Sequence, residues 1–550
     1  MKIRKNRGIL AGFVLGAVTA GVALAVGEAV AIFTGPATAP IYAVGSAAVN
    51  LTPARLKEYA VAHFGENDKT YLIAGILATL AVIALAAGVA ALRRFWTGAV
   101  LVAAFGAIGV TAAASQPDNG WDAALPSAIG AVVAVGVLWW LVRLYHREVI
   151  QPAAAPASAP APTLPRPGST PNPDPAFPDA ATPTASPQLP QATPLPDRRG
   201  FILAVSGVAV GAAATGFGAN LISSRRYSVS GARAAVRIPR PTFPAPRLPP
   251  GVHPNVAGLS SFFTDNDDFY RVDTALVLPQ VSPDSWTLRI HGMVDHPIEM
   301  TFAELLALPL HERDLTVSCV SDPVGGPYVG NARWIGADLP ALLRSAGVQS
   351  GADQLLATSV DGMTIGTPIG SVLDGRHAML AVAMNGEPLP IAHGFPARML
   401  IPGFYGYASA PKWVTDLNVT TFAAQQAYWV QRGYALIGTM KTQSRIDVPK
   451  PFARVAAGPV TVAGIAWATD RGISAVQVQV DAEPWKDADL ATQDTPDTWR
   501  QWTFPWQATT GLHTLSVRAA DDSGQYQTGV RAEPLPNGAS GWESLVVTVA

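Results

Sequence analysis

Cys319 is the single cysteine of the chain, and its thiol is a chemically reactive group. It ends an apolar run that begins at Leu315 and is typical of a β-strand, and a loop containing glycine and proline follows. A thiolate is a soft metal ligand, and it is a nucleophile when a base such as His393 is close. A buried cysteine that only packs in a core is the common alternative. One cysteine excludes an intrachain disulfide, a multi-cysteine zinc site and a cysteine-ligated iron–sulfur cluster.

The sequence lacks the patterns that are typical of several other enzyme chemistries. No group that would orient His393 and no oxyanion-hole pattern accompanies Cys319, so a cysteine hydrolase is the weakest hypothesis. P-loop, GxGxxG, HExxH, CxxCH and GxSxG patterns do not occur. The net charge of −1 gives no indication of the basic patch that nucleic-acid binding requires.

Three further segments favour the metal-ligand interpretation of Cys319. Residues 384–403 contain Asn-Gly-Glu-Pro-Leu-Pro-Ile-Ala-His-Gly-Phe-Pro-Ala-Arg, and Lys412-Trp413 follows shortly after. Residues 267–273 read Asp-Asp-Phe-Tyr-Arg-Val-Asp, and residues 428–434 read Tyr-Trp-Val-Gln-Arg-Gly-Tyr. In type and order these segments resemble the sulfite oxidase family, over about residues 267–550.

The resemblance implies a cofactor, molybdenum-molybdopterin, and a set of site residues. Cys319 would ligate molybdenum as a thiolate, and Tyr434 would lie beside the metal's oxygen ligand. Arg271 would be a cation on the substrate or cofactor side. Arg398, Lys412 and His393 would meet the pterin phosphate as a two-pronged donor, a point charge and a directional donor. The implied cofactor-binding residues are Tyr270, Arg271, Asp273, Asp361, His393, Arg398 and Lys412.

Two of these assignments have alternatives. The sequence also departs from the family pattern at one place, and this departure bears on which substrate is expected. Asp273 stands where vertebrate sulfite oxidases have histidine, and Asp361-Gly362 could be a plain turn. Sulfite oxidases follow their cysteine with Ala-Gly-Asn-Arg-Arg, whereas Cys319 is followed by Val-Ser-Asp-Pro-Val-Gly-Gly. An arginine that helps to hold an oxyanion is therefore missing. The expected reaction is oxygen-atom transfer on a small sulfur or nitrogen oxyanion or a sulfoxide. An external carrier, a cytochrome or a quinone-linked protein, would exchange the electrons.

The first part of the chain is expected to lie in a membrane. Charged residues make up only 14% of the chain, against about 25% in soluble proteins. Apolar stretches at residues 8–33, 71–92, 97–114, 123–144 and 200–222 approach or exceed the length of a membrane-spanning helix. No histidine lies within the first four stretches, and His63 is expected in a loop, so a bis-histidine haem is not predicted. These four helices are interpreted as an anchor, with a proton or quinone path as the alternative.

The basic residues predict the orientation of these stretches. They place the N-terminus inside and everything after residue 222 outside. Arg198-Arg199 before the fifth stretch resembles a twin-arginine export signal, although flanking cytoplasmic charges are the alternative. The residues that indicate the inner side are Lys2, Arg4, Lys5, Arg7, Arg93, Arg94, Arg143 and Arg147.

The predicted fold class is multi-domain, with a helical membrane part, an α+β molybdopterin-binding domain and an immunoglobulin-like β-sandwich. The resemblance implies a homodimer formed through the sandwich. A membrane-anchored, non-catalytic binding or assembly protein is the alternative function. The predicted boundaries are 1–150 for four transmembrane helices, 151–199 for a Pro/Ala-rich linker, 200–222 for the fifth helix, 223–256 for a tether, 257–457 for the catalytic domain and 458–550 for the sandwich.

Overall fold

The computed structural model describes residues 2–116, 120–147 and 198–550. The predicted linker lies outside these residues except for its last two positions. The helices are α1 Lys2–Thr34, α2 Pro40–Leu51, α3 Ala54–Phe64, α4 Asp68–Arg93, α5 Phe95–Ala114, α6 Leu125–Tyr145, α7 Arg198–Tyr227, α8 Ser230–Ala235, α9 Phe302–Ala307, α10 Leu339–Ala346, α11 Ile369–Leu373 and α12 Gly406–Ser409.

Five of the described helices are long and apolar enough to cross a membrane. They are α1, α4, α5, α6 and α7, and they coincide with the five predicted stretches. Even the shortest, α5, has 20 residues, which at 1.5 Å per residue span about 30 Å, the thickness of the hydrocarbon layer. The predicted helical character of the first part is confirmed.

The described residues divide into two compact units. The first unit comprises Met1–Val30, Ala78–Ile108 and Leu125–Asn220, and thus most of the five long helices. Within it, Gly12 and Gly16 of α1 approach Gly88 of α4 so closely that an added Cβ would collide with backbone atoms. Small residues at such spacing let two helices pack backbone to backbone without water.

The second unit comprises Ala31–Leu77, Gly109–Ala124 and Leu221–Ala550. It includes α2 and α3, two helices between the first and second apolar stretches that the sequence analysis missed. His63, expected in a loop, lies in α3. A left-handed residue, Gly65 with φ 55°, ends α3, because glycine adopts positive φ without steric cost.

Two sheets form the middle of this unit. One is mixed, in the order β2-β1-β10-β5-β6, with β1 parallel to β10. The other has the order β3-β4-β7-β8, with β9 on β7. Their strands are β1 Thr287–Gly292, β2 Ile298–Thr301, β3 Leu310–Ser318, β4 Val329–Asp338, β5 Gln354–Ser359, β6 Thr364–Pro368, β7 Met379–Met384, β8 Glu387–Pro388, β9 Arg398–Leu400 and β10 Val414–Thr420.

The core of this region fixes the strand ends that carry the site. Buried side chains of β1, β5, β7, β10, α9 and α10 form one apolar cluster. Thr301 and Glu304 close a capping box at the start of α9, and Asp338 caps α10 by accepting from the Ala341 amide at 3.1 Å. Such caps satisfy amides that a helix leaves unpaired. The predicted α+β texture with mixed sheets is confirmed.

The C-terminal part contains two further sheets, in the orders β11-β13-β17-β16 and β12-β19-β18-β14-β15. Side chains from both sheets share one apolar core, with Trp502, Val462 and Leu515 almost fully buried. The strands are β11 Gln443–Val448, β12 Arg454–Val455, β13 Gly458–Trp467, β14 Ile473–Val480, β15 Lys486–Asp487, β16 Asp489–Leu490, β17 Arg500–Ala508, β18 Gly511–Asp521 and β19 Glu543–Val549.

Candidate active site

Cys319 lies directly after β3. The antiparallel pairing of β3 with β4 continues one step beyond the strand, because the Cys319 amide donates to the carbonyl oxygen of Tyr328 at 2.9 Å. This bond fixes the backbone from which the thiol reaches a cavity of about 610 Å³. Burial raises the pKa of the thiol to about 12, so the free thiol is protonated and a metal would have to displace the proton.

All nine residues that the sequence analysis singled out line this cavity. The structure brings them together from separate stretches of the chain. Those residues are Tyr270, Arg271, Asp273, Cys319, Asp361, His393, Arg398, Lys412 and Tyr434.

Arg398 enters the cavity from β9 as a buried cation. Its guanidinium stacks over the Trp334 ring at 5.2 Å and donates to the carbonyl oxygen of His393 at 3.2 Å. Its Nε, although buried, has no hydrogen-bond partner among the described residues. Burial lowers the pKa of Arg398 to about 10. A buried, charged donor without an acceptor fits an anionic group such as the phosphate of molybdopterin.

Gly394 allows Arg398 and Lys412 to come together. Its φ is 109°, and an added Cβ would lie 3.1 Å from both the Cβ of Arg398 and the Cα of Lys412. A side chain at this position would therefore be strained and would crowd both cations. The glycine keeps the two cations on one wall of the cavity.

Asp273 collects three cations on that wall. It accepts from Lys412 Nζ at 2.7 Å and from Arg271 Nε at 2.9 Å, and it also pairs with Lys69. Burial alone would raise the pKa of Asp273, but the charges of Lys412, Lys69 and Arg271 hold it well below the usual range. Asp273 is therefore a carboxylate that positions three cations in the cavity.

His393 ends a 3-10 turn and is buried. Its Nε2 lies 3.2 Å from the carbonyl oxygen of Asn266, and since a carbonyl only accepts, Nε2 carries the proton. Burial, with the charges of Arg398 and Lys412, lowers the pKa of His393 to about 3. The ring is thus neutral, and Nδ1 is an acceptor. Donation from His393 to a phosphate would require a different protonation state.

Three further predicted residues line the same cavity. Tyr270 lines the cavity, and burial raises the pKa of its hydroxyl well above the usual value. Tyr434 packs between Tyr407 and Trp429, with ring centroids 5.3 and 5.1 Å away. Asp361 lines the cavity and accepts from the Met363 amide at 3.3 Å in a turn.

Helices α3 and α4 bring further residues to the same cavity, and the sequence patterns did not predict them. Glu58 accepts from Ser321 Oγ at 2.8 Å and also from the Tyr434 hydroxyl. Lys57 donates to the Tyr428 hydroxyl at 2.9 Å. The one available signal was a cluster of charges, Arg-Leu-Lys-Glu at 55–58, in a chain that has few.

A family model described as the oxidoreductase molybdopterin binding domain matches residues 275–429. This segment contains Cys319, Asp361, His393, Arg398 and Lys412. Residues 270–273 and Tyr434 fall just outside it.

Two curated relatives extend the similarity. Mitochondrial sulfite oxidase of Drosophila melanogaster is 30% identical over 313 residues, which are 47% of this chain and 53% of that protein. Sulfite oxidase of Gallus gallus is 30% identical over 312 residues, which are 48% of this chain and 67% of that protein. The chain thus spans about half the length of the first relative and two thirds of the second.

A solved structure, the sulfane dehydrogenase SoxCD from Paracoccus pantotrophus, is similar with 23% identity and a TM-score of 0.47, covering 52% of this chain and 82% of that one. The family model and the chicken enzyme identify the central part of the chain. The chain belongs to the sulfite oxidase family and is a molybdopterin-dependent oxidoreductase, with molybdenum-molybdopterin as its cofactor.

Proposed function

We propose that this chain is a membrane-anchored, extracytoplasmic enzyme that transfers an oxygen atom to or from a small sulfur or nitrogen oxyanion or a sulfoxide. Electrons are exchanged with an external carrier, a cytochrome or a quinone-linked protein. The observation that carries the proposal is the single cavity in which Cys319 and the unpaired Nε of the buried Arg398 lie together. A thiol for the metal and a cation for the phosphate are the two donors that the cofactor requires.

Each residue has a role that its surroundings support. Cys319 would hold molybdenum, and Arg398 and Lys412 would hold the phosphate of the pterin. Asp273 keeps Lys412 and Arg271 oriented through hydrogen bonds of 2.7 and 2.9 Å. When bound, the cofactor supplies a two-electron centre that gives or takes an oxygen atom.

Tyr434 has a role at the reacting oxygen. Its hydroxyl already donates to Glu58, so it holds a proton on the side of the cavity that Cys319 and Ser321 also line. We propose that this proton turns from Glu58 to the oxygen that is transferred, so that the Tyr434 hydroxyl donates a hydrogen bond to it. A donor at that position stabilises negative charge that develops on oxygen.

The contacts of α3 support an outer location for the catalytic domain. Glu58 bonds to Ser321, so both residues are on one side of a membrane. Four of the long apolar helices, α4 to α7, lie between them in the sequence. An even number of crossings returns the chain to its starting side, and the positive-inside bias makes that side the outer one.

The remaining parts have supporting roles. We assign residues 458–550, with β11, to an immunoglobulin-like module that joins two copies in a homodimer. Residues 1–150 and 200–222 anchor the chain, and residues 223–256 form the tether to the catalytic domain at 257–457. Arg198 and Arg199 belong to the export signal, which suits a domain that folds around a cofactor before export.

The test is the molybdenum content of the purified full chain, measured by metal mass spectrometry, with turnover of sulfite and of a sulfoxide. We expect close to one molybdenum per wild-type chain. Cys319→Ser should lose turnover, because a serine hydroxyl replaces the soft thiolate, while pterin remains bound. Ser345→Ala, an exposed change on α10, is the control.

Retained turnover in Cys319→Ser would overturn the ligand assignment. The host must make molybdopterin and have twin-arginine export. If the wild-type chain from such a host contains no molybdenum, the alternative function, a non-catalytic binding or assembly protein, is favoured instead.

A further inference from the structure

Helix α3 covers part of the cavity, although it lies far outside the segment that the family model matches. Lys57 donates to Tyr428 at 2.9 Å, and its ammonium lies 5.2 Å from the ring of Trp429. Glu58 accepts from Ser321 and Tyr434. One turn of α3 therefore touches both the loop after the cysteine and the segment that carries the active-site tyrosine.

Glu58 brings its charge close to the thiol. Ser321, its partner at 2.8 Å, is two residues after Cys319. The Glu58 charge is also one of the influences that raise the pKa of Cys319. The carboxylate thus lies on the side of the cavity where an incoming substrate would meet the metal ligand.

Four of the cations that line the cavity are held by Asp273 or by the backbone of His393. Lys412, Arg271 and Lys69 pair with Asp273, and Arg398 bonds to the carbonyl oxygen of His393. Cations of the cavity are thus gathered at Asp273 and His393, and the carboxylate of Glu58 lies beside the loop that follows Cys319.

We propose that Glu58, supplied by a helix between two membrane segments, is a specificity-determining residue that selects uncharged substrates, such as dialkyl sulfoxides, over oxyanions. An ionised Glu58 carboxylate repels an anion at short range, and it leaves a neutral sulfoxide unaffected. The inference rests on the proposed function.

The corresponding reaction is the reduction of a dialkyl sulfoxide to the dialkyl sulfide. The sulfur–oxygen bond breaks, and the oxygen leaves as one molecule of water. The reduction consumes two electrons and two protons, with both electrons supplied by the external carrier and both protons by the solvent.

The first test compares kcat/KM for sulfite with kcat/KM for dimethyl sulfoxide in the full chain loaded with molybdenum. Wild type should favour dimethyl sulfoxide. Glu58→Gln keeps the size of the side chain and removes its charge, so we expect the sulfite-to-sulfoxide ratio to rise about tenfold or more. Glu299→Gln, an exposed carboxylate on β2, should leave the ratio unchanged.

A second test needs no turnover. Cys319 is the only thiol, so its alkylation in the cofactor-free full chain is measured by mass. Iodoacetate is an anion and iodoacetamide is neutral, and the ratio of their rates cancels any change in thiolate content. Glu58→Gln should raise the iodoacetate-to-iodoacetamide ratio about tenfold, while Glu299→Gln should match wild type.

The outcomes separate the two proposals. A loaded wild type that prefers sulfite, or a Glu58→Gln variant in which both ratios stay at the wild-type value, overturns the role of Glu58. Equal losses for both substrates, with a lower melting temperature, show that Glu58 only holds α3 in place, which also overturns it. If wild type contains no molybdenum, the proposed function fails, and the alkylation ratio still decides whether Glu58 controls charge at the thiol.

Discussion

At the residue scale, Arg398 is a buried cation whose hydrogen-bond donors are incompletely satisfied by the described residues. A guanidinium has five N–H donors, and those of Arg398 find only carbonyl oxygens at 3.2 and 3.5 Å, with Nε unpaired. A buried, unsatisfied donor on a charged group costs about 1–3 kcal/mol or more. The phosphate of molybdopterin would remove that cost, which makes Arg398 a determinant of cofactor affinity.

Replacing Arg398 with lysine should therefore weaken cofactor binding while keeping a positive charge. Lysine is a point charge without the planar fork of arginine. A lost charged hydrogen bond of about 1.5–3 kcal/mol corresponds to a tenfold or greater loss of affinity. The measurement is molybdenum and pterin per chain for Arg398→Lys produced under limiting cofactor.

Arg376→Lys is the matched control for this change. Arg376 is also a largely buried arginine, but it pairs with Asp374 and Asp470 and does not line the cavity. Its cofactor content should equal that of wild type. Full occupancy in Arg398→Lys would contradict the phosphate role of Arg398.

The site residues differ in how far the sequence could predict them. Cys319, Arg398 and Lys412 stand in local patterns that resemble a family, so their types and order were enough. Glu58 is 376 residues from Tyr434, and Lys69 is 204 residues from Asp273. Nothing local marks such pairs, because only the fold brings an ordinary charged helix to the cavity.

At the element scale, the pairing of α1 with α4 depends on glycine. Gly16 faces the backbone of Ala84 and Gly88 without room for a side chain. Gly16→Leu should force the helices apart and destabilise the helical unit by about 1–3 kcal/mol or more, as overpacking does elsewhere. The melting temperature of the purified chain in detergent would fall.

Gly21 provides the control on the same helix, because no atom lies within 4 Å of a Cβ added there. Gly21→Leu should leave the melting temperature close to that of wild type. An equal fall in both variants would mean that leucine disturbs α1 itself, and that the contact with α4 is not the cause.

The elements also show where sequence patterns are informative. Helix α10 has clear local signals, because Asp338 caps its start and the left-handed Gly347 ends it. Strand β4 has none, since it is buried along both faces and lacks the alternation that marks a half-buried strand. Helix α3 was missed because it is short and polar beside long apolar stretches.

At the scale of the whole molecule, the fold bears on which side of a membrane the proposed catalytic domain lies, and it does so independently of composition. The positive-inside bias rests on the distribution of arginine and lysine, and Arg225 and Arg226, on the side proposed to be outside, run against it. The contact of Glu58 with Ser321 is independent of that distribution. Any arrangement of α4 to α7 across a membrane must return the chain to the side on which α3 lies.

This topology predicts which introduced cysteines react in intact cells. Ala482→Cys, at an exposed site in the C-terminal part, should be labelled by a membrane-impermeant maleimide. His146→Cys, exposed just after α6 on the side proposed to be inside, should react only after the cells are permeabilised. The wild-type chain, whose one cysteine faces the cavity, sets the background. Labelling of His146→Cys without permeabilisation, with Ala482→Cys protected, would reverse the orientation and place the catalytic domain in the cytoplasm.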